Sequence, residues 1–190
     1  MNRPMPNLDR LAGWLAAASA LLAALGLAAA LPPFSHLQHP LGLLGAPGVP
    51  HALAFNLFGF VLPGLLAAFV AVRLRGRLPD MVGRAAPLGV WMLAISALAF
   101  AAQGVFTLDP AELDGGRSQW HATAWLLWWL SFAAGSLLLG LGWRRPAFIA
   151  LGAVAIVLSA LPATWLPGPL AQRLLLLAWC AGVVLASRSR

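Results

Sequence analysis

Uninterrupted apolar runs of about twenty residues recur along this chain, and short segments that carry arginine separate them. A run of that length crosses the hydrocarbon core of a bilayer as one helix, because each helical residue advances about 1.5 Å. Hydrophobic residues make up 61% of the chain and charged residues only 9%, against about 25% in a typical soluble domain. The sequence therefore predicts an all-α, polytopic membrane helix bundle.

Six transmembrane helices are predicted, within a single transmembrane domain that covers residues 1–190. The predicted spans are residues 11–31, 51–74, 85–106, 120–143, 147–161 and 170–186. A secretory signal is the rival interpretation of the first run, but its apolar core would be only about 7–15 residues long. In the second span Pro63 lacks the amide that would bond the Gly59 carbonyl, so a kink is expected there, with that carbonyl facing the bundle.

Orientation follows from the arginines, since the chain contains no lysine and has a net charge of +7. In a six-span bundle only Arg117 and Arg173 fall on one side, and every other arginine falls on the opposite side. Basic residues mark cytoplasmic loops, so both termini are predicted in the cytoplasm. The arginine-rich, lysine-free composition suggests a GC-rich bacterial genome, and hence the bacterial inner (plasma) membrane.

Short arginine clusters between apolar spans are typical of contacts with anionic lipid headgroups rather than of a nucleic-acid surface. The predicted partners are therefore membrane lipids, with no nucleic acid. A partner membrane protein or a second copy of the chain is left open.

The histidines all map to the predicted outer side, and they are the candidate metal ligands: His36, His39, His51 and His121. The first two lie in an apolar, proline-rich segment, 32–50, that is predicted to fold over the outer end of the bundle or to lie in the membrane interface. The last two each begin a span at similar depth, which would suit a metal, a haem or a general base. An imidazole in the wet headgroup region is the simpler explanation of each, and metal and cofactor content stay open.

His121 and Asp109 are the candidate catalytic residues, because both lie near the outer surface. Asp109 also has a structural explanation. It precedes Pro110, with Glu112 three residues after it, which is the pattern of a helix cap.

A ligand pocket is predicted in the outer half, between the second, third and fourth spans. Buried amide side chains without a partner cost about 1–3 kcal/mol each, so those in these spans should point inward and be satisfied. The predicted contacts are Asn56, Gln103, His121, Thr123, Trp125 and Trp128. The alternative is a closed interface in which the amides bond each other and the indoles only pack.

Three short motifs carry a resemblance to a known family. They are residues 45–50 (GAPGVP) leading into Phe55-Asn56, residues 104–106 (GVF) with Asp109 after them, and His121. With these motifs the chain resembles a bacterial family of six-helix membrane proteins known as domain of unknown function 998. The resemblance implies the six-helix fold and directs attention to Asn56, Asp109 and His121. It implies no substrate.

Three functions fit these observations, and whether the chain is an enzyme is left open. The first is a non-enzymatic protein that binds or senses a lipid or another hydrophobic molecule at an outward-facing polar site. The second is a membrane enzyme that acts on lipid headgroups through His121 and Asp109, with or without a metal. The third is a redox protein that binds haem or a quinone.

Overall fold

A computed structural model describes residues 6–189, with side chains from residue 8 onward. The main helices are α1 (Pro6–Ala29), α2 (Ala52–Arg75), α3 (Ala85–Val105), α4 (Gly116–Gly142), α5 (Pro146–Ala160) and α6 (Gly168–Arg188). No strand occurs in residues 6–189, which confirms the predicted all-α polytopic bundle. Arg3 and Arg190, which the orientation argument used, lie outside the described residues.

The helices form a ring, because each one packs against the next and α6 packs against α1 and α2. All of them except α5 are long and apolar enough to cross a membrane. Helix α5 has only 15 residues. At about 1.5 Å per residue it covers roughly 22 Å of a hydrocarbon core about 30 Å thick. One end of the bundle therefore lacks a helical wall between α4 and α6.

Several helices extend beyond the predicted apolar spans. Helix α1 begins at Pro6 rather than at residue 11, and α4 begins at Gly116 rather than at residue 120. Helix α6 continues to Arg188. Backbone hydrogen bonding continues through polar turns, whereas hydropathy marks only the part of a helix that is suited to lipid.

Helix α2 contains a π-helical segment, Asn56–Val61, where the kink was expected. The Leu62 amide donates to the Leu57 carbonyl, five residues earlier. In that register the missing amide of Pro63 frees the carbonyl of Phe58 rather than that of Gly59. The Ser19 hydroxyl of α1 donates to this Phe58 carbonyl at 2.6 Å. The position of the irregularity was thus predicted, but the wider turn moves the free carbonyl by one residue.

Close packing of α3 on α4 depends on glycine. A Cβ atom added at Gly89 would collide with the backbone of Gly135 and Leu139 on α4. In the centre of the bundle, the Phe100 ring lies 5.2 Å from Trp128 and 4.4 Å from Trp179, measured between centroids. Aromatic side chains from α3, α4 and α6 therefore fill the core.

Contacts between connections define the two ends of the bundle. We name as the arginine-rich end the start of α1, the connections 76–84 and 143–145, and the end of α6. Asp9, Arg73 and Arg77 meet there, and the Gly83 amide donates to the Gly142 carbonyl at 3.2 Å. The histidine end comprises the other three connections, residues 30–51, 106–115 and 161–167.

Candidate functional site

The connection between α1 and α2 folds over the histidine end, as predicted. Its centre is a turn of 3-10 helix, Leu41–Gly45, most of which is buried. The Asn56 side chain of α2 donates to the Gly45 carbonyl at 2.9 Å. The Leu41 amide donates to Gln172 Oε1 of α6 at 3.0 Å. Helices α2 and α6, which are far apart in the sequence, therefore both hold this connection in place.

His121 of α4 lies under the same turn. Its Nδ1 atom is 3.1 Å from the Gln103 carbonyl and 2.8 Å from the Phe106 carbonyl, at the end of α3. Because a carbonyl only accepts, Nδ1 carries the hydrogen and Nε2 of the neutral ring is an acceptor. A Cβ atom added at Gly42 would come within 2.7 Å of Nε2. The buried imidazole thus caps α3 and keeps one acceptor at the histidine end.

A cavity of about 470 Å³ lies beside His121, between α4 and α6. Its lining consists of Pro40, Leu108, Leu113, His121, Ala122, Trp125, Gly168, Pro169 and Gln172. A second cavity of about 150 Å³ shares Trp125, Gly168 and Gln172 with it and continues along the end of α5. Both occupy the space that the short α5 leaves open. The combined lining is mostly apolar, with few polar groups.

Buried polar atoms without a hydrogen-bond partner occur in and near this cavity, and others lie within α4 and at Asp9. Trp125 Nε1, in its lining, donates to no described residue. The backbone carbonyl of Gln103 contacts His121, but neither polar atom of the Gln103 side chain makes a hydrogen bond. Thr107 Oγ1 also has no hydrogen-bond partner among the described residues. A cavity of about 550 Å³ at the arginine-rich end, around residues 81–83 and 141–144, includes none of the unpaired buried atoms of the described chain. This difference makes the histidine-end cavity the candidate site.

The other predicted contacts lie elsewhere. Asn56 is buried but engaged with the connection above it. Thr123 is exposed and donates to the Gln119 carbonyl of its own helix at 2.8 Å. Trp128 is 1% exposed and packs in the core against Phe100. Of the predicted contacts, only His121 and Trp125 line the cavity, which lies between α4 and α6 rather than among α2, α3 and α4.

Asp109, the second catalytic candidate, is engaged locally. Its Oδ1 accepts from the Ala111 amide at 2.9 Å, and its own amide donates to Ser118 Oγ at 3.0 Å. The segment forms turns rather than the capped helical turn that its sequence suggested. No hydrogen bond joins Asp109 to His121 within residues 8–189.

The remaining histidines have separate surroundings. His36 Nδ1 accepts from Arg173 Nε at 3.3 Å, and His39 Nδ1 accepts from the Ser35 amide at 3.0 Å. Burial, and then the charge of Arg173, lower the pKa of His36. His51 is exposed and precedes α2 with a φ of 62°. Among the described residues, no three His, Cys, Asp or Glu side chains come together as a group that could hold a metal ion.

Two residues near the cavity, Gln172 and Arg173, were not predicted as site residues. Both stand near the start of the last apolar span. A polar side chain inside a predicted span is costly in lipid and usually has a specific partner. The same cost that singles out Asn56 and Gln103 in the sequence also applies to this pair.

These features define a class of protein. Leucines on the outer faces of the helices are widely exposed, among them Leu22 (70%), Leu65 (52%) and Leu177 (49%). Such surfaces suit lipid rather than water, and the chain is a multi-pass helical membrane protein. Residues 14–189 match the model of a family described as "Protein of unknown function (DUF998)", and the chain belongs to that family. No curated protein and no solved structure matches the chain.

Proposed function

We propose that this protein binds or senses a lipid or another hydrophobic molecule in the cavity between α4 and α6, without catalysing a reaction on it. The observation that carries the proposal is an apolar cavity of about 470 Å³ that contains few polar groups. Ligand pockets typically measure about 300–1,000 Å³ and combine apolar walls with a few polar groups that fix orientation.

The polar groups of the cavity suit an amphipathic ligand. His121 Nε2 offers an acceptor, and a small rotation of the Trp125 indole would expose its buried, unpaired Nε1 donor. Gln172 uses Oε1 to hold the connection above it, and its Nε2 makes no hydrogen bond with any described residue. These groups would contact a headgroup or ester, while the hydrocarbon part of the ligand would follow the smaller cavity beside α5.

A matched pair of substitutions tests this proposal. Ala122 lines the cavity, whereas the next residue, Thr123, is exposed outside it. Ala122→Phe should fill the cavity and abolish a one-to-one lipid adduct in native mass spectra of the detergent-purified protein. Thr123→Phe adds the same ring outside the cavity and should leave the adduct intact. Equal adduct in Ala122→Phe and the wild type would refute the proposal.

We further propose that the protein resides in the inner (plasma) membrane of a bacterium, with both termini in the cytoplasm. The arginine-rich end would then face the cytoplasm, and the histidine end would face outward. Two features support this assignment, because they bring the basic segments to one end. They are the order of the helices and the contacts that join α1, α2 and α6 through Asp9, Arg73 and Arg77.

Reporter fusions test the orientation. Fusions at Pro79 and Arg190 should give cytoplasmic signals, and a fusion at Gly116 should give a periplasmic signal. A periplasmic signal at Arg190 would contradict the proposed orientation.

A further inference from the structure

The guanidinium of Arg173 lies at the histidine end without a carboxylate partner. Among the described residues both ion pairs involve Asp9, at the opposite end of the bundle. Arg173 Nη1 donates to the Pro169 carbonyl at 2.8 Å, Nε donates to His36, and Nη2 is buried with no hydrogen bond. A charged donor that is buried and unpaired is costly, so this group favours an oxyanion from outside the chain.

His36 adds a second donor. Its Nδ1 accepts from Arg173 at 3.3 Å, so the hydrogen of the neutral ring is on Nε2. That Nε2–H group makes no hydrogen bond with any residue of 8–189. The Phe34 ring, with its centroid 5.8 Å from Arg173 Cζ and 5.4 Å from the His36 ring, keeps the two side chains together. A guanidinium and an imidazole N–H thus lie side by side.

The pair lies next to residues that line the cavity, although neither side chain is part of the lining. The guanidinium reaches back by one turn to Pro169, and Pro169 lines the cavity. Pro40, from the same connection as His36, lines it as well. Because Pro169 stands at the start of α6, the charge lies near the level at which a bilayer has its headgroup phosphates. Arginine is well suited to phosphate, since its planar donors can contact two oxygens together.

We propose that Arg173 and His36 form a subsite for the phosphate of a glycerophospholipid whose hydrocarbon enters the cavity between α4 and α6. This inference rests on the function proposed above and names the class of ligand. It assigns the anion to Arg173 and His36, and the apolar part to the wall formed by Trp125 and its neighbours.

The test compares two ligands with identical acyl chains. Delipidated protein in detergent is titrated with dioleoyl phosphatidylglycerol and with dioleoylglycerol, which lacks the phosphate, and binding is measured by native mass spectrometry. The wild type should prefer the phospholipid by about tenfold, the ratio expected from one charge-assisted contact. Arg173→Gln should abolish this preference without weakening the binding of dioleoylglycerol. Arg117→Gln, at an exposed arginine of the same end, should keep the preference.

Each remaining outcome decides a separate point. A preference that persists in Arg173→Gln, or is absent from the wild type, overturns the phosphate subsite but leaves the proposed function standing. Binding of neither lipid to the wild type removes the proposed function as well. Displacement of phosphatidylglycerol by millimolar inorganic phosphate would assign the subsite to free phosphate instead of a lipid. If Arg173→Gln does not fold, Arg173→Lys keeps the charge without the planar donors and should retain part of the preference.

Discussion

At the arginine-rich end, the fully buried carboxylate of Asp9 lies 3.0 Å from Arg73 Nε and 3.5 Å from Arg77 Nη1. At the histidine end, Arg173 meets an imidazole and a backbone carbonyl but, among the described residues, no carboxylate. The first set contains a carboxylate that pairs with both arginines, and its groups hold helices together. The second has no carboxylate among the described residues, and it lies next to residues that line a cavity. The ion pairs of the arginine-rich end therefore stabilise the bundle, whereas the histidine end is the part for which binding is proposed.

Arg77 shows how the arginine-rich end is closed. It donates to the carbonyls of Ser187 at 3.4 Å and Ser189 at 3.2 Å. These carbonyls lie at the end of α6, where that helix has no further backbone amides to donate to them. Burial lowers the pKa of Arg77; Asp9 opposes this effect and Arg73 adds to it. The arginines that set the predicted orientation therefore also join α1, α2 and α6.

The largest effect is expected from Asp9→Asn, which removes the balancing charge at the arginine-rich end. Two guanidinium groups would then lose their only carboxylate among the described residues. We expect a loss of about 3 kcal/mol in the free energy of unfolding, at the low end for a broken buried pair because the Arg73 side chain is 35% exposed. Denaturation of the purified protein in mixed detergent micelles measures it.

Asp80→Asn is the matched control, because Asp80 belongs to the same end but is exposed. It should change the free energy of unfolding by less than about 0.5 kcal/mol. Equal effects of the two substitutions would show that the buried pairs do not hold this end closed.

A smaller effect is expected at the histidine end from Asn56→Ala. This change leaves the buried Gly45 carbonyl without its side-chain donor and should cost about 1–2 kcal/mol. Hydrogen exchange should rise in the connection 30–51 and stay unchanged at residues 76–84, since the lost bond holds only the former. Gln38→Ala, at an exposed position of the same connection, should alter neither. A uniform rise in exchange at both ends would mean that the two ends are not independent.

The helices were largely predictable because each span reflects a local property, a run of apolar side chains long enough for a bilayer. The shortness of α5 and the irregular segment before Pro63 follow from the same local reasoning. The π-helical form of that segment does not, since the partner of its free Phe58 carbonyl, the Ser19 hydroxyl, comes from a neighbouring helix.

The contacts of the site were less predictable because they join distant parts of the chain. Asp9 and Arg73 are 64 residues apart, and Leu41 and Gln172 are 131 apart. Nothing local marks Asp9 as buried, since the apolar run begins after it. The cavity lies between α4 and α6 because α5 ends early, a consequence of helix arrangement rather than of any motif. The depth of His121 in the bundle was predictable from the sequence, but its hydrogen bonds to the end of α3 were not.

The smallest expected effect concerns pH at the histidine end, through His36. Its pKa is lowered by burial and by Arg173, the charged group that faces it from α6. Below pH about 6.5 the unfolded chain therefore binds a proton more readily than the folded one. The contribution to stability is fully present above that pH and is lost as the pH falls through the lower folded pKa.

In phospholipid-free detergent, the unfolding midpoint should fall slightly from pH 7 to pH 5, because a proton on Nδ1 would remove the acceptor of Arg173 Nε and add a like charge beside it. His36→Gln should flatten this slope, whereas His51→Gln, at an exposed position, should not. A wild-type midpoint that rises on acidification would mean that the proton stabilises the pair, and the contrast between the two ends would then not extend to His36.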